Sequence, residues 1–221
     1  MATFQAQVEA LTGLGTLNST TNPSLNELTQ FLKDGSVDVI NKMIEISPSE
    51  TSKFTTTTHD TDNVGITITG KSVSIVREHD STSILRSCTL ISAQDRYDAT
   101  DVNSMKYRSK YNPAYYILNR KIFSVPVAAG SNNDLIVTQV SYPSPLYSDS
   151  SIADFPDEFE YLVVIYASMK SLEAKMAEYT IDEEDSELAQ SVGLNIATLA
   201  KQYETAFVFK APQQQQSGGQ K

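Results

Sequence analysis

The chain has no tryptophan, one cysteine and two histidines. A lone thiol, Cys88, excludes an internal disulfide and suits a protein made and used in a reducing cytoplasm. No apolar run approaches the roughly 20 residues that cross a bilayer, so no membrane partner is expected. The opening Met1-Ala2-Thr3-Phe4-Gln5 has neither a basic start nor an apolar core and does not read as a secretory signal. The nine glycines are scattered, and none forms the G-x-G-x-x-G or G-x-x-x-x-G-K patterns that cradle phosphates. G-x-S-x-G is missing as well, so no nucleophile is placed beside a base and an oxyanion donor. No catalytic residue and no cofactor is predicted.

The histidines sit in Thr58-His59-Asp60-Thr61-Asp62 and Glu78-His79-Asp80. Imidazole with carboxylates can hold zinc or manganese. Their spacing matches no helix-borne pair such as H-E-x-x-H, and polar turns at hairpin ends account for both, so no metal ligand is assigned. Cys88, inside an apolar strand, reads as a small buried hydrophobe. The acidic run Asp182-Glu183-Glu184-Asp185 lacks ligands at alternate positions around a glycine and reads as a solvated loop rather than a calcium site.

With 221 residues, 40 % apolar and 20 % charged, the chain can bury a sizeable core. Net charge is −10 and uneven. Between Arg86 and Lys121 seven basic residues face three acidic ones, giving +4 and leaving −14 for the rest. The acidic total opposes general binding to nucleic acid. A basic middle with acidic ends can attract copies of itself.

Phe4, Val8 and Leu11 predict a short helix, stopped near Gly13 and Gly15. Ser24 and Glu27 form a capping box ahead of a second helix carrying Leu25, Leu28, Leu32, Val39, Met43 and Ile46 on one face. Gly35 interrupts that row and marks a close helix contact or a kink; Ser47-Pro48 ends the helix. From Ser49 the texture turns to strand. Thr55–Thr58 favour extended backbone, and Val64, Ile66, Ile68 with Val73, Ile75 across Gly70-Lys71 predict a hairpin. Leu85–Ile91 predicts one strand, Tyr115–Leu118 and Ile122–Val127 a second hairpin about Asn119-Arg120-Lys121, and Leu135–Tyr142 a last strand before Pro143. After Pro156, Phe159, Leu162, Val163, Tyr166, Met169, Leu172 and Met176 trace one long helix with acids in its first turn. Leu188, Val192, Ile196, Leu199, Tyr203 and Phe207 trace another, and a short link folds the two back as an antiparallel pair.

The expected fold is therefore α+β. It comprises a helical segment at 1–48, a β-rich, mostly antiparallel middle at 49–148 and a C-terminal helix pair at 149–210, together forming one domain. A Gln-rich tail at 211–221 is too poor in apolar side chains to be expected to fold.

Tyr97, Tyr107, Tyr111, Tyr115 and Tyr116 interleave with Arg96, Lys106, Arg108 and Lys110. Tyrosine and arginine anchor protein interfaces. The same mixture packs ordinary strands or stacks on single-stranded nucleic acid, and these three readings stay open.

Asp101-Val102-Asn103-Ser104-Met105, Asn112-Pro113-Ala114-Tyr115-Tyr116-Ile117-Leu118 and Lys121-Ile122-Phe123-Ser124-Val125-Pro126 resemble a passage of the adaptor proteins that join portal to tail in tailed bacteriophages. Phe155-Pro156-Asp157-Glu158-Phe159, running into Leu162-Val163-Val164-Ile165-Tyr166-Ala167, is similar to the opening of their helix pair. The likeness covers roughly residues 85–207. It implies a non-enzymatic virion protein, assembled in the host cytoplasm as a ring homo-oligomer, usually a dodecamer. Such a ring contacts the portal protein above and a tail tube or nozzle protein below, and genomic DNA passes through its lumen without specific binding. Neighbours would meet through Arg108, Lys110, Tyr115, Tyr116, Arg120 and Lys121 on one side and Glu183, Glu184 and Asp185 on the other. Exposed ion pairs are worth only about 0–1 kcal/mol each, so these charges would orient and apolar contacts would bind. The rivals are a head-completion stopper or tail terminator, a metal-dependent enzyme around His59 and His79, and a nucleic-acid-binding module.

Overall fold

A computed structural model describes residues 2–79, 84–130, 132–181 and 186–210. The fold is α+β, and the chain divides into two compact units. A helical unit takes both ends of the chain, up to Phe54 and from Tyr142 onward; a β unit spans Thr55–Ser141. Among the described residues the β strands all fall within 55–141, and 49–54 and 142–148 group with the helices.

In the helical unit α1 (Phe4–Thr12) starts at Thr3, whose hydroxyl accepts from the Ala6 N–H. Two of its orphan N–H groups donate across to the segment before α3, Phe4 to the Asp149 carbonyl at 2.8 Å and Gln5 to that of Tyr147 at 3.0 Å. Gly13, at φ +68°, closes the helix through its N–H to the Glu9 carbonyl. Phe4 and Val8 are buried, but Leu11, expected on the same face, is 49 % exposed because it borders an open groove.

The capping box predicted at Ser24 is present in α2 (Leu25–Ile46): Ser24 Oγ accepts from the Glu27 N–H, and the Glu27 carboxylate accepts from the Ser24 N–H at 2.7 Å. Gly35 marks a close contact. A Cβ there would lie 3.1 Å from Tyr166 Cδ1 and 3.3 Å from the Val163 carbonyl oxygen. The absent side chain lets α2 press against α3 (Asp157–Ile181).

α3 is the centre of this unit and packs against α1, α2 and α4 (Ser186–Lys210). Its burial goes beyond one stripe, taking in Val164, Ala167, Ser168 and Ser171 as well as Phe159, Leu162 and Leu172. A single-face reading of the sequence misses that extra flank. Tyr166 meets Tyr203, and Met176 approaches Gly193, so α3 and α4 run antiparallel. The stripe on α4 is buried only in its second half. Leu199, Tyr203 and Phe207 are covered, whereas Leu188 is 45 % exposed.

Tyr203 donates its hydroxyl proton to Asp38 Oδ2 at 2.6 Å, and Lys42 sits 4.5 Å above the Tyr203 ring while pairing with Asp38. Burial first, then the bond to Asp38, pushes the Tyr203 hydroxyl well above the usual tyrosine range. The folded state thus keeps a proton that the unfolded chain releases near pH 10, so this stabilisation is complete below that pH and is lost as pH rises above it. Tyr203→Phe is expected to cost about 1–2 kcal/mol at pH 8, and the gap to the native chain should shrink by pH 11. Urea midpoints of both proteins at the two pH values check this; a gap that widens with pH contradicts it.

The β unit contains two four-stranded sheets, β1-β8-β3-β4 and β2-β7-β6-β5. β1 (Thr55–Asp60), β3 (Ser72–His79), β4 (Ile84–Ser87) and β8 (Leu135–Val140) form the first; β2 (Ile66–Thr67), β5 (Thr89–Leu90), β6 (Ala114–Leu118) and β7 (Lys121–Val125) form the second. Ile66, Ile122, Leu135, Val137, Cys88 and Ala128 are buried together between them.

The hairpin predicted across Gly70-Lys71 does not form. β2 pairs with β7, while β3 joins β8 and β4 in the other sheet. The strand predicted over Leu85–Ile91 breaks at Cys88, handing β4 to one sheet and β5 to the other. β5 runs parallel to β6, against the antiparallel expectation. The hairpin about Asn119 is present and tighter than predicted. Asn119 and Arg120 both take positive φ, and Lys121 already opens β7, as in a two-residue primed turn.

Candidate interaction surface

A long irregular loop leaves β5 and returns to β6 through residues 91–113. It is built from local turns. Ser92 caps a short 3-10 turn (Ala93–Arg96), and Asp101 accepts from the Asn103 N–H at 2.9 Å. The Arg108 N–H ties the loop back to the Ala99 carbonyl at 2.9 Å, over a buried Ala99. Lys106 bonds Asp95 at 2.7 Å and lies 4.0 Å from Asp98.

This loop exposes apolar and aromatic side chains. Tyr97 and Val102 are about 70 % exposed, Tyr111 62 %, and Met105 is fully open to solvent. Leu90 on the neighbouring edge strand is exposed too. The Arg96 guanidinium stacks 4.3 Å from the Tyr97 ring, and Tyr111 is flanked by Arg86, Lys110 and the His79 ring. Several large apolar side chains exposed along one loop suit a surface that meets another macromolecule.

The basic residues predicted to act together lie in two parts of the β unit. Arg108 and Lys110 lie in the loop that precedes β6, and Arg120 and Lys121 lie at its far end. A five-residue strand, at about 3.3 Å per residue, stands between the two pairs. Tyr115 packs onto the core of the unit, and Tyr116 stacks on Phe123 across the hairpin, with ring centres 5.4 Å apart. Lys121 Nζ donates to the Val64 carbonyl at 3.2 Å. Glu183, Glu184 and Asp185, and the tail at 211–221, lie outside the described residues. Sequence reasoning passed over Val102 and Met105 as docking residues. The signal was there: apolar side chains standing among turn formers, with no period that would bury them.

The two histidines fall on different strands, β1 and β3, with β8 between them. His59 Nδ1 is 2.5 Å from Oδ2 of the buried Asp134. Beside it Asp60 is also buried, and its carboxylate accepts from the N–H groups of Asp62, Val64 and Gly65 at 2.8–3.2 Å. This pins the 61–65 turn and one wall of a cleft of about 500 Å³ between β1 and β2. Among the described residues no group of three His, Cys, Asp or Glu is placed to hold a metal ion.

Cys88 is buried at the break between β4 and β5, and burial pushes its thiol up to about 12, against a smaller opposing effect of Arg77. At pH 8 the reactive thiolate should be scarcer than in the unfolded chain by a factor on the order of a thousand. A disulfide reagent should therefore label Cys88 slowly in buffer and rapidly in urea. Equal rates would mean the site is open.

No protein-family model matches the chain, and no curated protein matches it significantly. No helix among the described residues is long and apolar enough to cross a membrane.

Proposed function

We propose that this chain is a structural protein of the head-to-tail joint of a tailed bacteriophage, an adaptor that assembles as a ring between portal and tail. The observation that carries this reading is where the exposed apolar side chains fall. Val102 and Met105 lie in the passage that resembles the adaptors, and Tyr97 and Tyr111 flank it in the same loop. A second resembling passage, Phe155 to Ala167, opens the central helix of the helical unit, the kind of stiff element a ring wall requires. Apolar contacts supply the affinity and the uneven charge sets the orientation.

Sedimentation and native mass spectrometry of the purified chain, alone and mixed with portal protein, test the reading. The expected result is a defined multimer whose symmetry matches the portal. A chain that stays monomeric with portal present would sink it.

A further inference from the structure

Each sheet of the β unit ends on two edge strands, β1 and β4 in the first and β2 and β5 in the second. Among the described residues no strand lies beyond any of them. The ends differ in character. At one, β4 passes through Cys88 into β5, and Ile84, Leu85 and Leu90 are exposed along that edge. At the other, β1 and β2 flank the cleft of about 500 Å³, where Thr56 and Thr58 of β1 face Ile66 and Thr67 of β2 beside an exposed Val64. An unpaired edge that shows apolar side chains is a template for another strand.

We propose that β4 of one copy pairs antiparallel with the outer edge of β1 in the next copy, at the mouth of this cleft. The first sheet then runs on from subunit to subunit. The inference rests on the ring reading above and names the strands that meet.

Three observations fit edge to edge. The first is direction: β1, β8, β3 and β4 are antiparallel neighbour to neighbour, so the two edges of this sheet run opposite ways. A β4 arriving in the plane of the sheet therefore meets β1 antiparallel, and backbone N–H and C=O groups supply the ladder. The second is facing. Thr58 lies opposite the core residue Val137, and Arg86 lies opposite Arg77, which in turn pairs with the core residue Leu135. Thr56, Thr58 and Asp60 thus share the interior side of the sheet with Ile84 and Arg86. The third is charge. Arg86 is the one charged residue of β4; it stacks 5.5 Å from the Tyr111 ring, and its buried Nε has no hydrogen-bond partner among the described residues. The cleft is lined by Asp60 and Asp62 and by no lysine or arginine; Lys121, bonded to the Val64 carbonyl, stands outside that lining. Because the two edges are different surfaces, each copy that donates β4 still offers β1. The contact is head-to-tail and closes a ring instead of stopping at a dimer.

Pairing all of β4 while keeping Arg86 closest to Asp60 sets Ile84 opposite Asp60, Arg86 opposite Thr58 and Ser87 opposite Thr57. The test uses full-length Ser87→Cys and Thr57→Cys chains with tags of different mass. They are mixed with portal protein and oxidised at pH 8, where the buried Cys88 reacts slowly. The mixed disulfide is expected to exceed either homodisulfide at least about tenfold, as a specific contact requires. Thr58→Cys, one residue along and on the other face, should cross-link to Ser87→Cys at least about fivefold less. Leu85→Lys, at an exposed position on the edge, should weaken self-association at least about fivefold while the circular dichroism stays native. If the native chain forms multimers while the mixed disulfide is no more abundant than the homodisulfides, this contact is wrong and the ring reading survives. Equal cross-linking at Thr57 and Thr58, or unchanged association of Leu85→Lys, also overturns the strand pairing. A chain that is monomeric at about 100 µM with portal present removes both readings.

Discussion

Phe159→Ala is expected to lower the stability of the helical unit by about 3–5 kcal/mol. Phe159 is 1 % exposed, and its ring lies 5.5 Å from that of Phe54, which itself lies 5.6 Å from Phe155. Phe54 ends the turn that follows α2, Phe155 precedes α3, and Phe159 sits in the first turn of α3. The three rings therefore join segments far apart in sequence. Truncation leaves a cavity among side chains that cannot collapse into it, because Phe54 is equally buried on the opposite wall. Phe159→Leu should retain most of the stability. Urea unfolding followed by helical circular dichroism measures both. A loss under about 1 kcal/mol for the alanine variant would mean the aromatic cluster is not packed as described.

Gly65→Ala is expected to cost the β unit about 2–4 kcal/mol, from two separable causes. Gly65 has φ +83°, where any Cβ is strained, and that Cβ would stand 2.6 Å from Cε1 and Cζ of Phe123. The ring has little freedom to retreat, since Tyr116 stacks on it at an interplanar angle of 15°. Nor is the backbone free to shift, because the Gly65 N–H is bonded to the buried Asp60 carboxylate at 2.8 Å. Gly130 provides the control. Its φ is +70°, but no described residue lies within 4 Å of an added Cβ, so Gly130→Ala should cost only about 1–2 kcal/mol of conformational strain. The difference between the two variants isolates the clash. Equal losses in urea unfolding would contradict the placement of Phe123.

Local signals in the sequence located the helices well, because caps and periods act over a few residues. Ser24 with Glu27 and Gly13 satisfy backbone groups beside them, the acids after Pro156 stand in the first turn of α3, and all are where their chemistry places them. The β unit was legible as strand but not as topology. Gly70-Lys71 carries a turn signal, yet the strands on either side are drawn to different sheets by β7 and β8, partners remote in sequence. Alternation shows which side chains face inward and does not say which strand lies alongside. The candidate surface was legible in composition only. Arg108, Lys110, Arg120 and Lys121 are close in sequence, with one pair in the loop before β6 and the other at the turn into β7. Leu11 and Leu188 misled for the converse reason: a helical period predicts a face, while its burial depends on whether another element covers it.

Because the helical unit is assembled from both ends of the chain, its N-terminal part cannot complete a core when it leaves the ribosome. The aromatic partners of Phe54 arrive only after residues 55–141 have been made. Those intervening residues contain all the strands of their own two sheets, with Thr55 paired to Val140, so they are complete in themselves first. Synthesis thus imposes an order, the β unit maturing ahead of the helical unit that begins the chain. In the interval the buried faces of α1 and α2 stand uncovered, the stage at which a nascent chain is most exposed to aggregation.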